Sequence, residues 1–186
     1  FRKPWPSCAY THRLIEAALN FTKESRFNAS DILSGVISIP DPYFRVASFV
    51  NPRSDVEARF SIVYCVATML YDHEISNKSF QKAAINRSNV QELMSKLTIQ
   101  TYDVPNYISD MDPTFPDTLH LYFAGGYSKR QTISNVKGGQ NNPLSQEDLS
   151  KKFISCGGCC RVLGKLIDDK IDSKFDCWTG VSLNCI

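Results

Sequence analysis

The chain has 186 residues, a net charge of +2, 42% hydrophobic residues and 22% charged residues. Those values describe an ordinary globular domain, long enough to bury about 70% of the surface of its extended chain. It has no dense Lys/Arg run, no apolar run near the ~20 residues of a membrane helix and no signal-peptide pattern, so neither nucleic acid nor a membrane is expected as a partner.

Residues 1–19 are the most organised stretch. Pro4 and Pro6 fix two backbone angles around Trp5 and remove two amide donors. A short polar loop, Ser7 to His12, leads into a helix whose apolar stripe is Leu14, Ile15, Ala18 and Leu19. The loop carries Ser7, Cys8, Thr11 and His12 to the helix N-terminus, where free amides and the positive dipole end favour anions. With Lys3 added, this is a plausible carboxylate pocket. The bland alternative is a capped turn before a helix.

Residues 32–39 are β-branched and loosely alternating, which predicts a strand ended by Asp41-Pro42; residues 44–50 read as a second strand. Ser54 and Glu57 suggest a capping box, opening an almost wholly apolar helix over 56–71 that should be the buried centre of the domain. Residues 80–85 read as a short helical stretch, Ser88 and Gln91 as a second capping box with a helix behind it, and 97–102 as a strand. Residues 103–116 are a proline-containing loop of the kind that often carries function. The strands 119–123 and 127–133 flank Gly125-Gly126, a good hairpin signal. Residues 135–143 are a Gly/Asn-rich loop and 145–153 a capped helix. The mixture predicts an α+β fold, an antiparallel sheet with helices packed mainly on one face.

Several side chains carry candidate chemistry. Lys3 is either a solvated surface lysine or a point charge for a substrate carboxylate. Cys8 and His12 are four residues apart; a buried thiol and a backbone-bonded histidine is the preferred reading over a thiolate and its base. Arg59 can grip a carboxylate and Tyr64 can donate to an oxyanion or protonate a carbanion. On one continuous helix they would lie about 140° apart and would not converge. His73 and His120 read as structural. Cys156, Cys159 and Cys160, with Cys177 and Cys185 beyond, offer half the pattern of a zinc site and no histidine, so no metal is expected. The seven cysteines read as thiols of a reducing compartment, cytoplasm or mitochondrial matrix. The Asn-X-Ser/Thr patterns at Asn20, Asn28, Asn77 and Asn86 are discounted as chance.

The run Lys3-Pro4-Trp5-Pro6-Ser7-Cys8-Ala9-Tyr10-Thr11-His12, followed by Ile15-Glu16-Ala17-Ala18, resembles the signature of the MmgE/PrpD family. The likeness continues in the family's order through Glu57-Ala58-Arg59-Phe60-Ser61, Tyr64-Cys65-Val66-Ala67, Val90-Gln91-Glu92-Leu93 and Asn142-Pro143-Leu144-Ser145-Gln146-Glu147-Asp148-Leu149, and fades past Cys156. It implies a smaller α+β lid domain over 1–155, with a Cys-rich and helical tail of separate origin over 156–186. In the family such a lid closes over a larger helical domain, expected upstream of Phe1, and the site lies between the two. The implied activity is cofactor-independent lyase chemistry on small di- and tricarboxylic acids, of the 2-methylcitrate dehydratase or cis-aconitate decarboxylase type, by proton transfer beside a carboxylate. Lys3, Cys8 and Tyr64 are the implied catalytic residues, with His12 and Arg59 binding substrate. The implied partners are the acid, the upstream helical domain and a second copy of the chain. One departure matters. A histidine stands where Cys8 does in the cis-aconitate decarboxylases, and the two groups differ in unperturbed acidity by about two units. The alternatives are a catalytically incomplete fragment serving as a binding or dimerisation module, and a zinc-stabilised interaction domain.

Overall fold

The computed structural model describes residues 1–25, 27–105 and 109–157. Contacts divide the chain into Phe1–Leu144 and Ser145–Ile186. In the first unit four strands, β1 (Ile32–Pro40), β2 (Leu97–Tyr102), β3 (Asp117–Phe123) and β4 (Tyr127–Ile133), form one sheet in the order β2-β1-β3-β4. The helices α1 (His12–Thr22), α4 (Ile62–Asp72) and α6 (Ser88–Ser95) share one core with the sheet. Alternation explains why: Ile32, Ile37 and Ile39 of β1 and Leu119, Leu121 and Phe123 of β3 are buried, while Ser38, Thr118, His120 and Tyr122 are half-buried or exposed. The fold is α+β, as the residues predict.

The sheet is mostly antiparallel, with one correction. β1 and β3 pair antiparallel, as do β3 and β4, but β1 and β2 pair parallel, Ile37 opposite Ile99. A parallel pair needs a long crossover, and residues 41–96 supply it with helices. The hairpin forms at the expected place, with Gly125 at φ 96° and Gly126 at φ 79°, a backbone region that glycine enters without steric cost.

Two predicted elements are changed. Residues 44–46, expected in a strand over 44–50, are helical: Pro42 lies in the first turn of α2 (Asp41–Val46), where its locked angle suits a helix and its missing N–H costs nothing. The buried helix predicted over 56–71 is two, α3 (Asp55–Arg59) and α4. Ser61 breaks it by pairing as an isolated bridge with Ser48. Its hydroxyl then accepts from the Tyr64 N–H at 3.2 Å and caps α4. Residues 62–70 are all buried, so α4 is the central helix in the expected sense. The Ser54 cap on α3 forms. The Ser88–Gln91 box does not, because α6 starts at Ser88 itself and the Gln91 amide donates to the Ile85 carbonyl at 2.7 Å. Between α4 and α6 lies the short α5 (Lys82–Ile85). His73 ends α4 in the left-handed region, φ 60°.

The described part of the second unit is α7 (Gln146–Gly157). Ser145 caps it reciprocally with Asp148, each accepting from the other's backbone N–H. The tail beyond Gly157 and the side chain of Cys156 lie outside the described residues, and with them the zinc reading.

Candidate functional site

The amino-terminal segment is clamped to the loop that follows β4. The Arg2 N–H donates to the Gly138 carbonyl at 2.9 Å. Gly138 has φ 89°, and a Cβ there would lie 1.9 Å from the Arg2 carbonyl oxygen, so only glycine permits this approach. Trp5 is buried and meets the His12 ring edge-on at 5.4 Å; Phe1 meets the same ring at 5.5 Å. Between these anchors Lys3 is exposed.

A polar seam follows. The Cys8 N–H donates to the Arg59 carbonyl at 2.9 Å. Thr11 shares a 2.8 Å hydroxyl bond with Ser7 and donates to the Cys8 carbonyl at 2.8 Å. Cys65, on α4, donates to the Ala58 carbonyl at 3.6 Å. Both thiols are free and buried. Burial pushes the Cys8 thiol up, against a smaller pull down from the Tyr10 backbone N–H and from Lys3. Burial pushes Cys65 up to about 12, against the hydroxyls of Thr11 and Ser7. Protonated thiols are poor nucleophiles and competent proton holders.

The amides expected to await an anion here are already used. Residues 9–11 form a 3₁₀ turn in which the Thr11 N–H bonds to the Cys8 carbonyl and the His12 N–H to the Ala9 carbonyl. Cys8 precedes that turn with extended torsions, so it and His12 do not share a helix face.

Lys3 and Cys8 lie within electrostatic reach of each other, and Cys8 and Arg59 are joined through their backbones. The Arg59 guanidinium lies 4.5 Å over the Phe80 ring and donates to the Pro6 carbonyl and the Asn77 side chain. Tyr64 is fully buried. Its hydroxyl donates to the Ser79 carbonyl, and burial pushes its pKa up. Lys3 faces solvent while the Tyr64 phenol faces the interior, so the described residues do not bring the two into one cleft.

A cavity of about 350 Å³ opens beside the segment, between residues 109–113 and 135–141. Phe1, Tyr10, Asp110, Met111, Asn135 and Gln140 are among its lining. The Tyr10 hydroxyl donates to Asp110 at 2.7 Å, and its ring stacks on Tyr43 at 4.7 Å. Burial, then the Asp110 carboxylate, hold the Tyr10 phenol protonated far above neutrality.

The model of the MmgE/PrpD C-terminal domain matches residues 5–173. The chain belongs to the MmgE/PrpD family. Among its relatives are the cis-aconitate decarboxylase of Mus musculus, 31% identical over 190 residues, and that of Homo sapiens, 30% identical over 159 residues. The matches cover 94% and 81% of this chain but only 37% and 31% of those proteins. The chain thus spans about a third of the length of the curated relatives it matches. Cys8, His12, Arg59 and Tyr64 fall inside the residues matched to the MmgE/PrpD domain, and Lys3 lies two residues ahead of them. No helix among the described residues is long and apolar enough to cross a membrane.

Reading the MmgE/PrpD signature for chemistry passes over its most deeply buried charge. Arg13 is buried completely. Its guanidinium donates to the Phe115 and Asp112 carbonyls at 2.9 Å and to the Met111 carbonyl, and lies 3.6 Å from the buried Asp117. Glu16, one turn on, accepts from the Lys137 N–H at 3.1 Å and from the Asn142 amide at 3.2 Å. Neither residue was singled out from the sequence. The available signal was positional: Arg13 sits four residues before the apolar Ala17, and Asp117 two before Leu119, each on a face that goes inward.

Proposed function

We propose that this chain is the lid portion of a cofactor-independent lyase that moves a proton next to a carboxylate of a small di- or tricarboxylic acid. One observation carries the reading: the Lys3 ammonium is exposed on a backbone clamped at Trp5 and Gly138, within electrostatic reach of the buried Cys8 thiol. An ammonium binds a carboxylate as a point charge. Neutralising Lys3 in this way removes a pull that lowers the Cys8 pKa. Substrate binding therefore keeps the thiol protonated, ready to deliver a proton to a carbanion beside that carboxylate. His12 and Arg59 border the same segment as binding candidates. Tyr64 remains a catalytic candidate that would have to exchange the Ser79 carbonyl for substrate. The reading brings with it an upstream helical portion, a second copy of the chain, and residence in the cytoplasm or mitochondrial matrix.

The test is turnover by the full-length protein of 2-methylcitrate (dehydration) and of cis-aconitate (decarboxylation). Turnover of one of them is expected. Lys3→Met should lower kcat/KM by about 10²-fold or more, the scale of a lost positioned acid–base group or charge. A folded protein inert towards both acids, or indifferent to Lys3→Met, sinks the proposal.

A second reading, a catalytically incomplete binding or dimerisation module, is favoured by the burial of the Tyr64 hydroxyl on Ser79. It predicts a higher melting temperature with tricarboxylates and no turnover.

A further inference from the structure

Both walls of the 350 Å³ cavity hang from the start of α1 and the turn before it. Tyr10, Arg13 and Glu16 recur every three residues, a spacing that keeps successive side chains adjacent on a helix. Tyr10 bonds to Asp110, and Arg13 to the carbonyls of Met111, Asp112 and Phe115. Glu16 reaches the other way, to the Lys137 N–H and the Asn142 amide. Asn142 in turn bonds to the Asn135 carbonyl, and the Gly138 N–H to the Asn142 carbonyl at 2.6 Å. The width of the cavity is therefore set by two side chains one turn apart.

The lining also limits what enters. Among the described residues it holds one carboxylate, Asp110, with carboxamides from Asn135, Gln140 and Asn141, and otherwise apolar or phenolic groups, and no Lys or Arg. Such walls repel a second or third carboxylate and accept a hydroxyl or alkyl group. Lys3 is two residues from Phe1, which lines the cavity, hence within about 7 Å of it along the backbone.

We propose that Arg13 and Glu16 are positioning residues that fix the separation of residues 109–116 and 135–142, and that the cavity between them receives the uncharged end of a small organic acid. This rests on the reading of Lys3 as the anchor for the acid's carboxylate. Arg13 serves by shape as well as charge. Its planar fork reaches several carbonyls at once, which the point charge of a lysine does not.

The experiment is calorimetric titration of the full-length protein with two probes, 2-methylsuccinate and propane-1,2,3-tricarboxylate. The native protein should prefer 2-methylsuccinate. Glu16→Ala and Arg13→Lys should each weaken 2-methylsuccinate about 10-fold. Glu16→Gln, which keeps one of the two acceptors, should recover part of the loss. Asp110→Asn keeps an acceptor for Tyr10 and removes the charge, so it should strengthen propane-1,2,3-tricarboxylate and erase the preference, an effect that a purely structural role for Asp110 does not predict. Should Arg13→Lys fail to fold, the Glu16 and Asp110 variants decide alone. Unchanged affinity in Glu16→Ala, or unchanged preference in Asp110→Asn, overturns the proposal. Lys3→Met separates the two readings. Lost binding there with unaffected Glu16 and Asp110 variants sinks the positioning argument only. Undiminished binding in Lys3→Met sinks the carboxylate anchor.

Discussion

The two walls of the cavity are held by different physics. Residues 109–116 hang mainly on groups withdrawn from water, Arg13 and Tyr43, while Tyr102 is half-buried and the Tyr10–Asp110 bond is exposed. Arg13 is fully buried. The Tyr43 hydroxyl donates to the Ser109 carbonyl at 3.1 Å and accepts from the Asp112 N–H at 3.0 Å, and the Tyr102 hydroxyl donates to the Pro116 carbonyl at 2.7 Å. Residues 135–143 hang on half-solvated ones: Glu16 is only half-buried, the Asn142–Asn135 bond is exposed, and the rest is backbone contact around Gly138. Similar counts of hydrogen bonds do not mean similar energies. A bond lost in a dry site leaves a desolvated group behind, whereas one lost near water is replaced by solvent. The first wall should therefore fail by destabilising the domain, and the second by shifting locally.

The largest expected effect follows directly. Arg13→Met strips the donor from three carbonyls and leaves the Asp117 carboxyl buried without its partner, for a loss of about 3–5 kcal/mol in urea unfolding. Pairing it with Asp117→Leu sharpens the point. Stability should recover in part, because no buried carboxyl is left without its partner, but residues 109–116 should still lose protection in hydrogen exchange, because the carbonyls remain without donors. A double variant with native protection would show that charge burial, not loop anchoring, is what Arg13 is for.

Next in size is a dependence on pH. Burial pushes the Asp117 carboxyl up to about 8, against the smaller lowering pull of Arg13. In the unfolded chain the same group titrates near 4. Between those values the folded protein holds a proton that the unfolded chain has released, so unfolding frees protons and stability falls as pH rises from about 4 to about 8. Asp117→Asn should flatten that part of the profile. A slope of the opposite sign, cancelled by the same variant, would mean that Arg13 holds the carboxyl ionised.

This contrast explains what was legible in the residues. The hydrophobic pattern exposed the sheet, its hairpin and the burial of α4, because burial imposes a period on the chain. It missed the break at Ser61, which depends on a partner thirteen residues earlier, Ser48. It missed the parallel β1–β2 pair for the same reason: strand direction is settled by the crossover, not by either strand. At the site, the Pro4-Trp5-Pro6 segment was readable because proline acts locally. Arg13 and Glu16 were not, since their partners lie about a hundred residues away, and a charged residue in an amphipathic helix is ordinarily solvated.

Gly138→Ala probes the second wall where its backbone is tightest. An added Cβ meets the Arg2 carbonyl at 1.9 Å and also strains φ 89°. The strained angle alone costs about 1–3 kcal/mol, and the Arg2 contact cannot be kept at its present distance. The cheaper outcome is release of the terminal segment, which would carry Lys3 away from Cys8. Limited proteolysis near Arg2, with a nearly native melting temperature, would show that release. A large loss of global stability would place this wall in the same energetic class as the first.

Glu16→Gln should have the smallest effect, and it is the closest test of the contrast. The carboxylate accepts two bonds, from the Lys137 N–H and the Asn142 amide. A carboxamide keeps one acceptor, and its bonds are neutral rather than charge-assisted. Because Glu16 is half-buried, water can serve the Asn142 amide in place of the lost oxygen. The loss should be about 0.5–1 kcal/mol, below the cost of leaving a buried donor unmet. It should shrink further at 1 M salt, where the Debye length falls to about 3 Å. A loss of 3 kcal/mol, insensitive to salt, would mean that Glu16 is as dry in solution as Arg13. The two loops would then be braced alike, and the division between a buried and a solvated wall would not hold.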